Sequence, residues 1–251
     1  IGWQSAGIAP IRKNWDGLVP VPGDGRFEWS GFLPIPQLPH ETSPARGYVG
    51  TANALNVAAS YPNANALART WAEPFRRDRL LAVLDTTRAA ALPQMMALQH
   101  DETPMAARAL VPLLKAVALT GAASMAARDS VLAWNGVLSA SSRGAAIYAV
   151  WERKLLTHTA DIVLPLTVRP LLRTVSLAQT IAWLTEPDSL LGANPVVARD
   201  FILFRAFNEA VADLTKRFGP NIADWHYGDA KLHHARIAHP LDGIIADSLR
   251  S

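Results

Sequence analysis

Apolar residues recur at intervals of three to four positions over most of the chain beyond residue 74. The first such run follows Pro74, which suits the first turn of a helix, and includes Leu80, Leu81 and Leu84. The same period predicts further helices at 92–99, 104–119, 124–138, 145–158, 176–184 and 195–218. Residues 107–117 are apolar on more than one face, which is typical of a helix that is buried on both sides.

The first 65 residues have a different texture, rich in Pro, Gly and aromatic side chains. Residues 20–25 form a Pro- and Gly-rich run that predicts turns. Short strands are predicted at 1–7 and 48–53, separated by a long loop that contains several Pro residues. A loop of this length inside a compact domain is usually functional or packs against another chain.

Composition excludes several classes of protein. Half of the 251 residues are apolar, which allows a sizeable core, but no apolar run reaches the length of about 18 residues that a membrane span requires. The formal charge is +3 and the basic residues are scattered, so nucleic acid is not an expected partner. The chain has no Cys, which removes disulfides, Cys nucleophiles and zinc-thiolate sites together.

Common catalytic motifs are also absent from the sequence. It contains no Gly-x-Ser-x-Gly elbow, no Gly-x-Gly-x-x-Gly fingerprint and no P-loop. Four His residues lie close together near one end, namely His226, His233, His234 and His239. Their spacing matches no known zinc motif, and two adjacent His on a helix point about 100° apart. Structural hydrogen bonds are therefore the expected role of these His side chains.

Short motifs rich in Trp, Gly and Pro follow one another in a definite order. They occupy residues 1–4 (IGWQ), 15–17 (WDG), 20–23 (PVPG), 29–32 (WSGF), 47–53 (GYVGTAN), 71–80 (WAEPFRRDRL), 99–101 (QHD), 225–229 (WHYGD) and 239–241 (HPL). In this order the motifs resemble an internal part of the β-subunit of penicillin acylases and acyl-homoserine lactone acylases. Each motif alone carries little information, but the shared order is specific.

The resemblance implies the N-terminal-nucleophile hydrolase fold, an αββα sandwich of two antiparallel sheets between helical layers. The expected fold class is α+β, with this chain mostly helical and with a few strands near its start. Residues 1–65 would form a strand-and-loop segment of the sandwich, and residues 66–251 the mainly helical part of the same β-subunit domain. The family nucleophile is the first residue of the β-subunit, a Ser, whereas this chain begins with Ile1. The nucleophile is therefore expected on a companion segment.

The resemblance also implies that Asn53 is a catalytic residue. The family places an Asn at this position, where its side-chain N–H contributes to the oxyanion hole beside a backbone N–H. A neutral donor stabilises the charge that forms on the attacked carbonyl oxygen without competing for the proton of the nucleophile. The residue type alone equally suits the end of a strand, because Asn is common in turns. The family commonly has Asn-Asn here, whereas this chain has Asn53-Ala54.

Two further positions are assigned through the resemblance. Arg76 matches an Arg that holds the nucleophile amine and the oxyanion Asn in place, which suits a planar and permanently charged guanidinium. Its neighbours Arg77 and Arg79 are expected on a solvated helix face. Asn65 falls where some members place an Asp that binds a structural calcium, and an Asn offers one oxygen but no charge. No required cofactor is implied.

The function implied is that of an amidohydrolase, which cleaves the acyl side chain of N-acyl-homoserine lactones or penicillin-like amides. Its partners would be the α-subunit and the Ser-initiated β segment of the same precursor, together with a small acyl-amide substrate. A periplasmic or secreted location follows from the family. Two other hypotheses remain open: a helical scaffold or interaction protein without an active site, and a self-contained hydrolase that uses Ser, His and Asp.

Overall fold

The computed structural model describes residues 1–58, 60–67, 70–172 and 174–232, and it divides into two compact units. Unit 1 comprises Ile1–Ala106 and Ser176–Ala178, and unit 2 comprises Ala107–Val175 and the described residues from Gln179 onward. The division into segments at residue 65 stays a prediction.

Short antiparallel strands form the first part of unit 1. Four strands make two separate pairs, β1 (Gly2–Gln4) with β4 (His40–Thr42) and β2 (Pro10–Arg12) with β3 (Trp29–Phe32). In the first pair Trp3 lies opposite Glu41, and the Trp3 indole N–H donates to the Glu41 carboxylate at 3.2 Å. The predicted strand at 1–7 is thus confirmed only in its first half, and the predicted long loop contains the other three strands.

The described part of unit 1 also contains the α-helices α1 (Ala64–Leu67), α2 (Phe75–Leu84) and α3 (Leu92–Gln99). α3 has the bounds that its apolar spacing predicts, and α2 begins directly after Pro74 as expected. The predicted strand at 48–53 is wrong, because this segment pairs with no strand among the described residues. Its side chains contact α2 instead, and such packing explains a strand-like pattern without a strand ladder.

Unit 2 is built around two long helices. Its helices are α4 (Ala107–Leu113), α5 (Ala122–Leu132), α6 (Arg143–Val163), α7 (Leu177–Thr185), whose first two residues belong to unit 1, and α8 (Pro195–Phe218). α6 and α8 pack against each other, with Trp151 and Phe207 fully buried between them. The two rings meet edge to face, with centroids 5.8 Å apart, which is a preferred aromatic geometry.

Most helix boundaries follow from local signals. α8 runs over the predicted range and ends at Phe218, directly before Gly219, whose φ of 89° is readily adopted only by Gly. α6 begins after Ser142, whose hydroxyl accepts the N–H of Ala145 at 3.1 Å. The helix predicted at 104–119 is shorter in the structure. Pro112 has no N–H for the carbonyl one turn before it, which weakens this helix; α4 ends at Leu113, and a single 3₁₀ turn follows.

The chain as described is mostly helical, with its strands near the start, as predicted. Among the residues that the structure describes, no helix is both long enough and apolar enough to cross a membrane.

The segment after α8, residues 225–228, is hydrogen-bonded to residues 140–142, which precede α6. Trp225 is fully buried, and its indole N–H donates to the carbonyl of Gly219 at 3.0 Å. The backbone N–H of Gly228 donates to the carbonyl of Ala140 at 2.8 Å. A Cβ atom on Gly228 would lie 2.6 Å from the Cβ of Ala140, which is far inside van der Waals contact. The close approach of these two segments therefore requires Gly at position 228.

We expect Gly228→Ala to lower the free energy of unfolding by about 1–3 kcal/mol, because the added methyl group forces the two segments apart. Urea unfolding of the purified protein measures the change. Gly23→Ala is the matched control, since a Cβ at Gly23 meets no atom within 4 Å. Equal unfolding midpoints for both variants would show that position 228 has room for a side chain.

Candidate active site

Asn53 and Arg76 are brought into direct contact in unit 1. One guanidinium nitrogen of Arg76, Nη2, donates to the side-chain Oδ1 of Asn53 at 2.7 Å and to the carbonyl of Ala52 at 3.1 Å. The backbone N–H of Ala72 donates to the carbonyl of Asn53 at 3.1 Å. Both the backbone and the side chain of Asn53 are thus held by the segment that begins α2.

The backbone of Asn53 adopts a left-handed conformation, with φ of 64°. Among residues other than Gly, Asn is one of the few types that enter this region readily. The structure therefore places Asn53 in a turn and not at the end of a strand. The turn presents the side chain towards Arg76, while the backbone carbonyl remains available to Ala72.

The contact with Arg76 determines which way the Asn53 amide faces. A guanidinium only donates hydrogen bonds, so the atom next to it must be the acceptor Oδ1. The Nδ2 group then lies on the opposite side of the amide, and no acceptor among the described residues takes its N–H groups. The Asn53 and Arg76 side chains are both exposed in this chain. The arrangement offers a fixed pair of neutral N–H donors to an incoming acceptor.

The segment before Asn53 is fastened along α2 by a series of contacts. The Tyr48 hydroxyl donates to the Asp85 carboxylate at the end of the helix, and this bond raises the pKa of Tyr48. A Cβ on Gly50 would lie 3.0 Å from the Leu80 side chain, so the segment passes close to α2 at this residue. Arg76 follows one turn earlier on the helix. The segment from Tyr48 to Asn53 therefore runs antiparallel to α2. These contacts fix its position along the helix, so that Asn53 lies next to Arg76.

α2 is also held by a bidentate ion pair. Arg79 donates from Nε and Nη2 to the two carboxylate oxygens of Asp101 at 2.9 and 2.6 Å. The Asp101 carboxylate also accepts the backbone N–H of Thr103 at 3.0 Å. The hydrogen bonds from Arg79 outweigh the effect of burial and lower the pKa of Asp101 to about 2. The expectation that Arg79 lies on a solvated face is wrong, because it is occupied by this pair.

A cleft of about 1020 Å³ lies in unit 1. Its lining includes Trp3, Glu41, Arg46, Tyr48, Arg77 and Leu81. Glu41 and Arg46 form an ion pair, whereas Arg77 has no ion-pair partner among the described residues. Neither Asn53 nor Arg76 contributes to the lining.

No cluster of three or more His, Asp or Glu side chains that could hold a metal occurs among the described residues. The side chain of Asn65 lies outside the described part of the chain, so its role as a calcium ligand stays a prediction. His226 binds the carbonyl of Ser141 at 3.1 Å, a structural hydrogen bond of the expected kind. His233, His234 and His239 lie outside the described residues.

The structure also shows a contact that the sequence did not predict. The carboxylate of Glu73 accepts the backbone N–H groups of Leu177 and Ala178, at 2.8 and 3.0 Å. These partners are more than one hundred positions away, and their main-chain groups carry no side-chain signature. No pattern in the sequence could have identified this pair.

The comparisons with known proteins show the family of this chain. The model of the penicillin amidase family matches residues 1–250, so the chain belongs to this family. The predicted membership in the penicillin acylase and acyl-homoserine lactone acylase family is thereby confirmed.

Two similar proteins have different names, one an acyl-homoserine lactone acylase and the other a penicillin acylase. Acyl-homoserine lactone acylase QuiP of Pseudomonas aeruginosa is 29% identical over 259 residues, which cover 93% of this chain and 30% of that protein. Penicillin acylase 2 proenzyme of a Pseudomonas species (strain SE83) is 26% identical over 255 residues, which cover 96% of this chain and 31% of that protein. The chain therefore spans about a third of the length of these curated relatives.

A solved structure shows the same fold. Thermostable penicillin G acylase from Alcaligenes faecalis superimposes with a TM-score of 0.68 over 89% of this chain and 46% of that chain, at 19% identity. The predicted fold class, α+β as part of the N-terminal-nucleophile hydrolase sandwich, is thus confirmed.

The pair of Arg79 and Asp101 predicts how stability changes with pH. Because the folded-state pKa of Asp101, about 2, lies below its ordinary value of 3.8, the pair stabilises the fold above about pH 4. This contribution, about 1–2 kcal/mol, is lost as the pH falls from 4 towards 2. Urea unfolding at several pH values should show a loss of stability between pH 4 and 2 that is larger in the wild type than in Asp101→Asn, by about this amount.

The matched control for this prediction is Asp129→Asn, because Asp129 pairs with Arg128 but is 65% exposed. Such exposed pairs contribute little, so this variant should follow the wild type at every pH. A pH profile of Asp101→Asn that is parallel to the wild type would contradict the assignment.

Proposed function

We propose that this chain is part of the β-subunit of an amidohydrolase that removes acyl groups from N-acyl amides. In this proposal Asn53 is an oxyanion donor and Arg76 orients it. The nucleophile is the terminal Ser of a companion segment from the same precursor. Membership in the penicillin amidase family supports the class of reaction, and the name proenzyme of one relative fits a processed precursor.

The single observation that carries the proposal is the hydrogen bond from Arg76 to Oδ1 of Asn53. An oxyanion hole needs donors that are already oriented before charge develops, so that no reorganisation is required during the reaction. Arg76 occupies the acceptor side of the amide and leaves the donor side available. A structural Asn in a turn would have no need for a charged residue that fixes its amide in this orientation.

The chemistry proceeds in two halves. The Ser hydroxyl attacks the amide carbonyl and its proton passes to the α-amine of the same residue, whose ordinary pKa of about 7.7–8.0 suits neutral pH. The negative charge on the carbonyl oxygen is stabilised by the Asn53 Nδ2 group. The carbon–nitrogen bond then breaks, the proton passes to the leaving amine, and water hydrolyses the acyl-enzyme ester by the reverse sequence.

The substrate class is proposed from the relatives. Acyl-homoserine lactone acylases and penicillin acylases are both among them, and each name describes an amide with a separable acyl group. We favour N-acyl-homoserine lactones, because the relative that bears this name is 29% identical and the penicillin acylase 26%. Release of a free fatty acid from such a lactone is the corresponding assay.

Three accompanying features belong to the same proposal. The α-subunit and the Ser-initiated β segment are the partners of this chain, and the enzyme works in the periplasm or after secretion. A calcium ion near Asn65 is an optional structural addition and takes no part in the reaction. Cleavage of a lactone signal would silence quorum sensing, whereas cleavage of penicillin side chains would alter antibiotic activity.

Asn53→Gly tests the central role in the assembled enzyme. Gly accepts the left-handed backbone of position 53 and removes the amide donor, together with the Oδ1 atom that Arg76 binds. We expect kcat to fall by about 100- to 1000-fold, because one oxyanion donor is lost. The rate of fatty-acid release from an acyl-homoserine lactone measures the effect, and thermal unfolding checks that the variant is folded.

Asn53→Asp is the companion variant, since it keeps the shape of the side chain but replaces the donor with a negative charge. It should lose at least as much activity as Asn53→Gly. Wild-type kcat in either variant would remove Asn53 from the mechanism and favour a scaffold role for this chain. Activity of residues 1–251 alone would instead favour a self-contained hydrolase.

A further inference from the structure

Glu73 lies between the two residues that hold Asn53. On one side Ala72 donates its backbone N–H to the Asn53 carbonyl at 3.1 Å. On the other side Arg76 donates to the Asn53 side chain at 2.7 Å. The Glu73 carboxylate takes part in neither contact and is bound instead by two backbone N–H groups, those of Leu177 and Ala178.

These two N–H groups form a binding site for the Glu73 carboxylate. They belong to the first residues of α7, whose N–H groups have no carbonyl partner within the helix. The start of a helix also carries a partial positive charge that favours an anion. Oε1 accepts from Leu177 at 2.8 Å and Oε2 from Ala178 at 3.0 Å, so both the position and the rotation of the carboxylate are fixed.

The link from Glu73 to α2 is short and stiff. Pro74 follows directly, with φ of −72°, and its ring prevents rotation about its own N–Cα bond. α2 begins at the next residue, and Arg76 lies in its first turn. A displacement of Glu73 is therefore transmitted to the guanidinium that orients Asn53.

We propose that Glu73 is a positioning residue for the Asn53 oxyanion donor, an inference that rests on the proposed function. By anchoring its carboxylate to the start of α7, it fixes both the Ala72 amide and the Arg76 guanidinium. An oxyanion donor acts only at about 2.7–3.1 Å from the charged oxygen. A displacement on the order of 1 Å costs roughly 100-fold in rate, so a distant anchor has a measurable effect on kcat.

Glu73→Gln in the assembled enzyme is the direct test. Gln has the same size, but its amide group places a donor against a backbone N–H, so one of the two hydrogen bonds is lost. We expect kcat for fatty-acid release to fall by about 10- to 100-fold, with KM changed by no more than about twofold. We expect kcat to change more than KM because the oxyanion forms only after the substrate has bound.

Asp188→Asn is the matched control. The Asp188 carboxylate also accepts a backbone N–H, that of Leu190 at 2.8 Å, at the start of a short helical turn in unit 2. The substitution removes the same charge from the same kind of cap. It should leave kcat within about twofold of the wild type, because the described hydrogen bonds of Asp188 stay within its own turn.

A double-mutant cycle separates positioning from general stabilisation. If Glu73 acts through Asn53, then Glu73→Gln causes no further loss of kcat once Asn53→Gly has removed the donor. A purely structural role would instead lower kcat by the same factor in both backgrounds. The ratio of the two factors is therefore the readout that decides between these roles.

Leu177→Pro provides a second approach if Glu73→Gln fails to assemble. Pro is favoured in the first turn of a helix and removes one N–H that Glu73 accepts. The Leu177→Pro enzyme should also have a lower kcat than the wild type, as Glu73→Gln does. A wild-type kcat in a folded Glu73→Gln or Leu177→Pro enzyme, or equal losses in both backgrounds, would overturn the inference while the role of Asn53 stands. A wild-type kcat for Asn53→Gly would overturn both.

Discussion

The hydrogen bond from Arg76 to the side-chain oxygen of Asn53 is the interaction on which the candidate site depends. It converts an amide that could face either way into one with a single orientation. The left-handed turn at Asn53 and the backbone bond from Ala72 make this contact possible. A donor of this kind needs no reorganisation when charge appears on a substrate.

The remainder of unit 1 keeps this pair in register. α2 carries Arg76 on the face towards Asn53, and Arg79 binds Asp101 from the same helix. Glu73, just before α2, binds the backbone of Leu177, and Tyr48 binds Asp85 directly after the last residue of α2. Four contacts on one short helix therefore restrict its translation and rotation. Such restriction is what a site with a tolerance of a few tenths of an ångström requires.

Local patterns predicted the helices well and the strands poorly. α3 and α8 have the predicted bounds because their apolar spacing and their flanking Pro and Gly residues are contained within each segment. The strand expected at 48–53 is absent because alternation of side chains reports packing on a surface, here α2, and not a hydrogen-bonded ladder. Asn53 and Arg76 were identified only through the order of family motifs. The anchors at Glu73 and Asp101 depend on contacts between distant segments, which no local pattern encodes.

A crystal structure of the assembled enzyme with a tetrahedral adduct on its nucleophile tests the orientation of Asn53 most directly. The measured quantity is the distance from the Asn53 Nδ2 atom to the oxygen that carries the negative charge. A separation of about 2.7–3.1 Å, with Arg76 still bound to Oδ1, is the result expected for an oxyanion donor. A separation beyond about 4 Å, or an amide turned so that Oδ1 faces the adduct, would contradict the role of this residue.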